Sequence, residues 1–136
     1  MGSWLDDFIK SASLLGVKFT GMIDETNLSK TLASSTVGIA PLRFGAGVKR
    51  KVLDYLNHGL PVVSTSIGIE GMTDSGGPPP GVLVAESEQD WISVLSELLE
   101  STERRQMLGS EGVKFVRANY SRQMMADTLR KLLASI

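Results

Sequence analysis

The sequence predicts the α/β fold class, a layered domain with a mostly parallel sheet, and three observations support that prediction. Several short, nearly continuous apolar segments are typical of strands that are buried on both faces. They alternate with segments whose apolar residues recur at helical spacing. Gly or Pro marks many of the boundaries between them. The segments that favour strands are residues 17–21, 37–41, 61–65 and 82–85.

The predicted sheet also indicates where a ligand site should lie. In parallel sheets, ligands bind outside the carboxyl ends of the strands. The residues that follow the strands are therefore the first candidates for a site. They are residues 22–24, 42–48, 66–72 and 86–88.

The first half of the chain contains two predicted helices before the second strand. One covers residues 4–15, with Gly16 as its C-cap residue. Asp24 is placed to cap the other, which runs to about Ser35. We expect the apolar face of the first helix to pack on the core. That face consists of Trp4, Leu5, Phe8, Ile9, Ala12 and Leu15.

The second half continues the alternation. A third helix is predicted from about Val48 to Asn57, with Gly59 behind it, and residues 66–81 are rich in Gly and Pro and favour a loop. Beyond the last strand the pattern is helical, and its apolar residues are expected in the core. They are Trp91, Val94, Leu95, Leu98, Leu99, Met107, Leu108, Phe115, Met124, Met125, Leu129 and Leu132.

Composition excludes several functional classes. The chain has 136 residues, which suits one domain, and its net charge of −1 gives no overall field that would attract nucleic acid. It has no Cys and one His, so disulfides, thiol chemistry and multi-His metal sites are excluded. We also expect no metal and no cofactor. No apolar run approaches the ~18 residues of a membrane-spanning helix, and we expect a cytoplasmic location.

The segment "PLRFGAGVKRK", residues 41–51, carries the strongest chemical signal. It holds four of the 14 cations, Arg43, Lys49, Arg50 and Lys51, and no acid. Gly residues let a backbone approach a ligand closely, and a helix N-terminus directs N–H groups at an anion. Cations at this end of a helix oppose the helix dipole unless an anion lies between them. The segment therefore predicts a site for a phosphate or diphosphate.

Helical spacing extends this hypothesis along the third helix. Gly47, Lys51, Asp54 and His58 would share one face, with Lys51 near the phosphate and Asp54 available to accept from sugar hydroxyls. The alternative is a solvated helix with an ordinary Lys51–Asp54 pair. The glycine pattern matches neither the P-loop nor the dinucleotide fingerprint. For His58 we favour contact with the last carbonyls of the helix.

At a larger scale, "VGIAPLRFGAGVKRKVLDYLNHGLPVVSTSIGIEGM" resembles the donor-binding half of the group 1 (family 4) glycosyltransferases, which have the GT-B fold. The resemblance implies a Rossmann-like three-layer domain, a truncated half of that fold, in which residues 1–136 form one partial domain. It implies that Asp54 binds the ribose and that Met22 and Ile23 lie beside the base. The diphosphate role carries over to Gly45, Ala46, Gly47, Val48 and Lys51.

Two departures from the family pattern matter. Many members have a sugar-contacting glutamate where this chain has Ala46, so Arg43, Lys49 and Glu70 are left as candidate base or sugar contacts. Glu70 can equally be a solvated loop carboxylate. The family's N-terminal acceptor domain and the first strands of the nucleotide domain are also missing from the pattern. We expect the resulting open strand edges either to pair with each other or to associate with a second copy.

The function that the resemblance implies is donor binding in a retaining glycosyltransferase. Such an enzyme transfers a hexosyl group from a UDP- or GDP-sugar to a glycan or lipid-linked acceptor, as in polysaccharide biosynthesis at the inner face of the membrane. The alternative is a non-catalytic nucleotide- or phosphate-binding module, or an assembly module. A phospho-acceptor signalling domain is disfavoured because no acidic cluster follows the first strand.

Overall fold

The computed structural model describes residues 3–136, and the elements below are those of that range. The chain divides into two compact units, up to Lys30 and from Thr31 onward, and each is described by itself. The helices are α1 (Trp4–Leu14), α2 (Glu25–Ala33), α3 (Arg50–Asn57), α4 (Glu88–Glu100), α5 (Thr102–Tyr120) and α6 (Arg122–Ala134). The strands are β1 (Gly38–Ala40), β2 (Val62–Ser64) and β3 (Val82–Val84), and a 3₁₀ turn covers Ile67–Ile69.

The three strands form one parallel sheet in the order β1-β2-β3. Successive residues of β2 enter two different cores. Val62 joins a cluster with Val52 and Leu56 of α3, whereas Val63 joins a cluster with Leu98 of α4. Because both faces of the central strand are covered by helices, the arrangement has three layers. The predicted Rossmann-like α/β fold class is confirmed.

Helix α3 supports the sheet from one side. Val52 and Leu56 are fully buried, whereas Val48 is 41% exposed. The predicted start of the helix near Val48 was wrong, because α3 begins at Arg50 and leaves Val48 outside it. Gly59, with a φ of 74°, ends the helix, and the Leu60 N–H donates to the Tyr55 carbonyl oxygen in a Schellman-type closure.

In the first unit, the capping predictions hold and the strand prediction fails. Gly16 has a φ of 88° and closes α1, and the Asn27 N–H donates to the Asp24 carboxylate at 2.8 Å. Residues 17–21 form no strand. A strand exists only when its backbone groups pair with a neighbour, and the described residues up to Lys30 provide no such neighbour.

The expectation that α1 packs on the core was also wrong. None of its residues is buried, and Trp4 is 79% exposed. Phe8 has an edge-on contact with Phe19, with ring centroids 6.2 Å apart. One helix and a short extended segment have too few layers to enclose an apolar face.

The predicted core role of α6 was wrong for a different reason. Leu108 and Val116 of α5 are buried against the sheet layers, and Phe115 packs beside them. Because α5 supplies this cover, α6 has no sheet surface left to enclose and buries none of its residues. Its exposed apolar residues are Met124, Met125, Leu129, Leu132 and Leu133. Leu99 of α4 and Met107 of α5 are likewise exposed.

Strand β1 lies at one edge of the sheet. Within residues 3–136, no strand pairs with its outer side. Association of the open edge with a second copy stays a prediction. In the same range, no helix combines the length and apolar content needed to cross a bilayer.

A substitution at Gly109 tests the contact between α5 and the end of α3. A methyl group there would overlap the carbonyl oxygen of Gly59. Helix propensity alone predicts that Gly109→Ala stabilises the protein by about 1 kcal/mol. Overpacking against a backbone atom predicts instead a loss of about 1–3 kcal/mol. Urea unfolding shows whether the substitution raises or lowers the free energy of unfolding.

Gly77→Ala is the matched control, because its methyl group would meet Ser75 Oγ at 3.6 Å, an ordinary contact. We expect that variant to unfold close to the wild type. A Gly109→Ala protein more stable than the wild type would contradict the described packing.

Candidate functional site

The carboxyl ends of the three strands lie side by side, because Ala40, Ser64 and Val84 are in register. The loops that follow are joined by hydrogen bonds. The Thr65 hydroxyl donates to the Leu42 carbonyl oxygen at 2.6 Å, and the Ser66 N–H donates to the Glu86 carboxylate at 2.7 Å. Segments 42–48, 66–72 and 86–88 therefore begin at one edge of the sheet, which we call the carboxyl edge.

Two buried hydroxyls hold this edge together. Ser64 is fully buried, and its hydroxyl donates to the Thr65 carbonyl oxygen at 2.8 Å. The Thr65 hydroxyl also accepts from the Gly68 N–H at 3.3 Å. Because these groups are satisfied inside the protein, they shape the loop that follows β2.

The glycine loop, residues 43–48, leaves the carboxyl edge after β1 and is exposed throughout. Gly45 has a φ of 130° and Gly47 a φ of 75°, a region that other residues rarely adopt. A Cβ at Gly47 would meet nothing within 4 Å, so glycine is needed there for its backbone conformation and not for lack of room. The expected special backbone of these two glycines is present.

Helix α3 begins two residues later than predicted. Lys49 is its N-cap residue, with no side-chain capping bond, and the Lys49 ammonium group donates to the Gly47 carbonyl oxygen. Lys49 therefore stabilises the glycine loop from within. A cation cannot accept from the N–H groups of the first turn, so α3 starts without the side-chain acceptor that usually satisfies them.

The cations of the first turn differ in their surroundings. Lys51 is exposed, and its side chain forms no hydrogen bond or ion pair with residues 3–136. Arg50 Nε lies 3.9 Å from Asp54 Oδ2, one turn along the helix. The pair considered in the alternative reading, Lys51–Asp54, is thus replaced by Arg50–Asp54.

Asp54 lies at a cavity of about 330 Å³ between α3 and the end of α5. The other residues that line it are Leu53, Asn57, Val116, Arg117, Tyr120 and Ser121. The face predicted to run from Gly47 to His58 is shorter than expected, because both residues lie outside the helix. His58 Nδ1 is 2.7 Å from the Asp54 carbonyl oxygen, so its contact with the last carbonyls is confirmed.

The other predicted residues are dispersed. Met22 and Ile23 lie in the first unit, before α2, and both are exposed. Ala46 is exposed in the glycine loop, and Glu70 is exposed just after the 3₁₀ turn. Their roles beside a base or a sugar stay predictions.

A second opening at the carboxyl edge was not anticipated. An open cleft of about 600 Å³, here called the edge cleft, begins at Arg43 and is bounded by residues of the loops after β1, β2 and β3. Its lining residues are Pro41, Leu42, Arg43, Thr65, Ile67, Glu86, Glu88 and Trp91. Sequence reasoning named residues 86–88 as candidates for a site only because they follow a strand, and it assigned no role to any one of them. The contact of Glu86 with Ser66 spans 20 residues and leaves no local signal.

The acidic residues of the edge cleft, Glu86 and Glu88, lie at the start of the capped helix α4. The Asp90 carboxylate accepts from the N–H groups of Ser87 and Glu86, at 3.1 and 3.3 Å. The Ser87 hydroxyl in turn accepts from the Asp90 N–H, which completes a capping box at the start of α4. Hydrogen bonds from the backbone of Ser87, and then of Glu86, hold the pKa of Asp90 below its ordinary value.

Comparison with known proteins identifies the class to which this fold and site belong. The chain is a member of the family "Glycosyl transferases group 1", whose sequence model matches residues 2–101. It is also 31% identical over 126 residues to a protein of Corynebacterium glutamicum, the GDP-mannose-dependent monoacylated alpha-(1-6)-phosphatidylinositol monomannoside mannosyltransferase. That alignment covers 88% of this chain and 32% of the relative, so the chain spans about a third of the relative's length. No solved structure matched the chain.

The capping role of Asp90 predicts a pH-dependent contribution to stability. A carboxyl group whose pKa is lowered by folding stabilises the protein above its unfolded pKa, and the contribution disappears as pH falls through the folded pKa. We expect Asp90→Ala to lower the free energy of unfolding by a constant amount above about pH 5. The difference from wild type should shrink below the ordinary value of 3.8.

Urea unfolding measured across that pH range checks the prediction. Asp74→Ala removes an exposed loop carboxylate and serves as the control. A deficit for Asp90→Ala that stays the same at the lowest pH would show that the carboxylate charge is not what stabilises α4.

Proposed function

We propose that this chain is the sugar-nucleotide-binding part of a retaining glycosyltransferase, equivalent to the C-terminal half of a GT-B enzyme. One observation carries the proposal: an exposed loop with two positive-φ glycines leads from the carboxyl edge into a helix that lacks a side-chain cap. Backbone N–H groups and a positive dipole end suit a diphosphate. Membership of the glycosyltransferase family is the independent support.

In this proposal, different residues bind different parts of the donor. The backbone from Gly45 to Val48 approaches the diphosphate, and Lys51 supplies an exposed positive charge one turn into the same region. Asp54, the acceptor next along α3, takes the ribose hydroxyls. Asn57 and Arg117 line the same cavity as Asp54 and add hydrogen-bond donors and an acceptor there.

The chemical contribution is electrostatic. Transfer breaks the bond between the anomeric carbon and a diphosphate oxygen. The acceptor hydroxyl oxygen bonds to the same carbon, and its proton passes to the departing diphosphate. Negative charge grows on the departing diphosphate. Fixed N–H groups and Lys51 stabilise that charge more in the transition state than in the bound donor, which is what accelerates a reaction. We assign no metal or cofactor to this step.

The relative favours the guanine nucleotide among the two donor classes that the sequence allows, because its name specifies GDP-mannose. We therefore propose a GDP-hexose donor, with a UDP-hexose as the second choice. The acceptor site belongs to chain outside this one, since the relative is about three times as long. By the same reasoning, we propose a lipid-linked or glycan acceptor at the cytoplasmic face of a membrane.

The alternative function is a non-catalytic nucleotide- or phosphate-binding module. A transferase normally shields its donor from water. The glycine loop is open and fully exposed, and this exposure favours the binding module. Supplying the remaining two thirds of the relative as a separate polypeptide distinguishes the two functions. Transfer of labelled hexose in the mixture supports the enzyme, and nucleotide binding without transfer supports the module.

Calorimetric titration of GDP and UDP into the chain tests the donor site. Lys51→Ala removes one charge-assisted contact, and we expect GDP affinity to fall about tenfold, which corresponds to about 1.4 kcal/mol. Added salt should weaken wild-type binding and narrow the difference between the two proteins.

The control is Lys131→Ala, which removes an exposed lysine from α6 and leaves the net charge equal to that of the test variant. Its GDP affinity should match the wild type. Equal losses in both variants would attribute binding to general charge and overturn the assignment to the glycine loop.

A further inference from the structure

We propose that the edge cleft binds a pyranose sugar, with Glu86 and Glu88 as hydroxyl acceptors and Trp91 as an apolar wall. The proposed role of the glycine loop accounts only for a diphosphate. The edge cleft would be a second subsite at the carboxyl edge. Whether the sugar comes from the donor or from the acceptor rests on the proposed function, but the subsite itself rests on the chemistry of the cleft.

The lining selects against other ligands. Two carboxylates and one guanidinium leave it with net negative charge, which repels a second phosphate. Its volume of about 600 Å³ lies within the ~300–1,000 Å³ range of small-molecule sites. A sugar is neutral, has many hydroxyl donors and presents C–H groups on one face. It matches a cleft that combines carboxylate acceptors with an aromatic ring.

Trp91 supplies the apolar part. It lines the cleft and is half-buried, packed beside the cluster of Val63 and Leu98. The face of an indole ring carries partial negative charge and attracts positively polarised C–H edges. Because the ring is held by the core, a sugar that stacks on it loses little side-chain entropy from the protein.

Glu86 is held in place as an acceptor. One oxygen, Oε1, accepts from the Ser66 N–H at 2.7 Å, and the Glu86 N–H donates to Asp90. A carboxylate offers about four lone-pair sites, so acceptor capacity remains for a ligand. Fixed acceptors bind hydroxyls at lower entropic cost than mobile ones.

Glu88 and Arg43 complete the cleft. Both are exposed, and among residues 3–136 neither forms an ion pair. Arg43 is both a residue of the cleft and the first residue of the glycine loop, so the two features adjoin at this residue. Glu70, which the sequence suggested as the acid nearest a sugar, is not among the cleft residues. The geometry transfers that role to Glu86.

The test follows the indole N–H signal of Trp91 by NMR in a Trp4→Phe background, which leaves a single tryptophan. Methyl α-mannoside, GDP and GDP-mannose are titrated separately. A donor sugar shifts the Trp91 signal with GDP-mannose and not with GDP. If the cleft binds an acceptor sugar, methyl α-mannoside shifts the signal in the absence of any nucleotide. Either saturable shift supports the subsite and identifies the source.

Glu86→Gln and Glu88→Gln provide the residue-level test. Glutamine keeps an oxygen for the Ser66 N–H, so Glu86→Gln preserves the loop while it weakens acceptance from hydroxyls. We expect each variant to weaken the sugar-dependent shift at least about fivefold. Glu100→Gln, at the far end of α4 and outside the cleft, should leave it unchanged.

Failure of this proposal is distinguishable from failure of the proposed function. If GDP shifts the amide signals of Gly45 and Gly47 while no sugar ligand shifts Trp91, the subsite is overturned and the donor site stands. If neither region responds to any ligand, both are overturned.

Discussion

The parallel alignment of three short strands is the constraint on which the rest of the structure depends. It places the ends of β1, β2 and β3 at one edge, so loops separated by 20 or more residues start as neighbours. The Thr65 hydroxyl then joins the loop after β2 to the loop after β1, and the Ser66 N–H joins it to Glu86 after β3. Without that alignment, the glycine loop and the acids near Glu86 would have no common location.

Charge at this edge is divided in a way that matches a nucleotide sugar. The glycine loop and the start of α3 are positive, with Lys49 used internally and Lys51 exposed. The far side of the edge cleft is acidic, with Glu86 and Glu88 beside Trp91. Such a surface would bind a diphosphate at its positive part and a neutral sugar at its acidic part, without any mobile element. In the proposed function, a bound diphosphate would lie between these cations and the positive end of the α3 dipole, which otherwise oppose each other.

Local patterns predicted what local physics determines. The three strands, the caps at Asp24, Gly16 and Gly59, and the glycine loop follow from apolar runs and backbone preferences that act over a few residues. The predicted strand at 17–21 was wrong because a strand needs a neighbour to pair with, and an apolar run does not show whether one is available. The exposure of α1 and α6 was missed because periodicity shows an apolar face but not whether another layer is available to cover it. Glu86 was included within segment 86–88 but not singled out, because its defining contact is long-range.

The central claim is that the glycine loop holds a diphosphate, and the most direct test is a crystal structure of the chain with bound GDP. The account predicts phosphate oxygens at about 2.7–3.2 Å from backbone N–H groups between Gly45 and the first turn of α3, the range of a hydrogen bond, with Lys51 alongside. A nucleotide bound elsewhere, with the loop unoccupied, would contradict it.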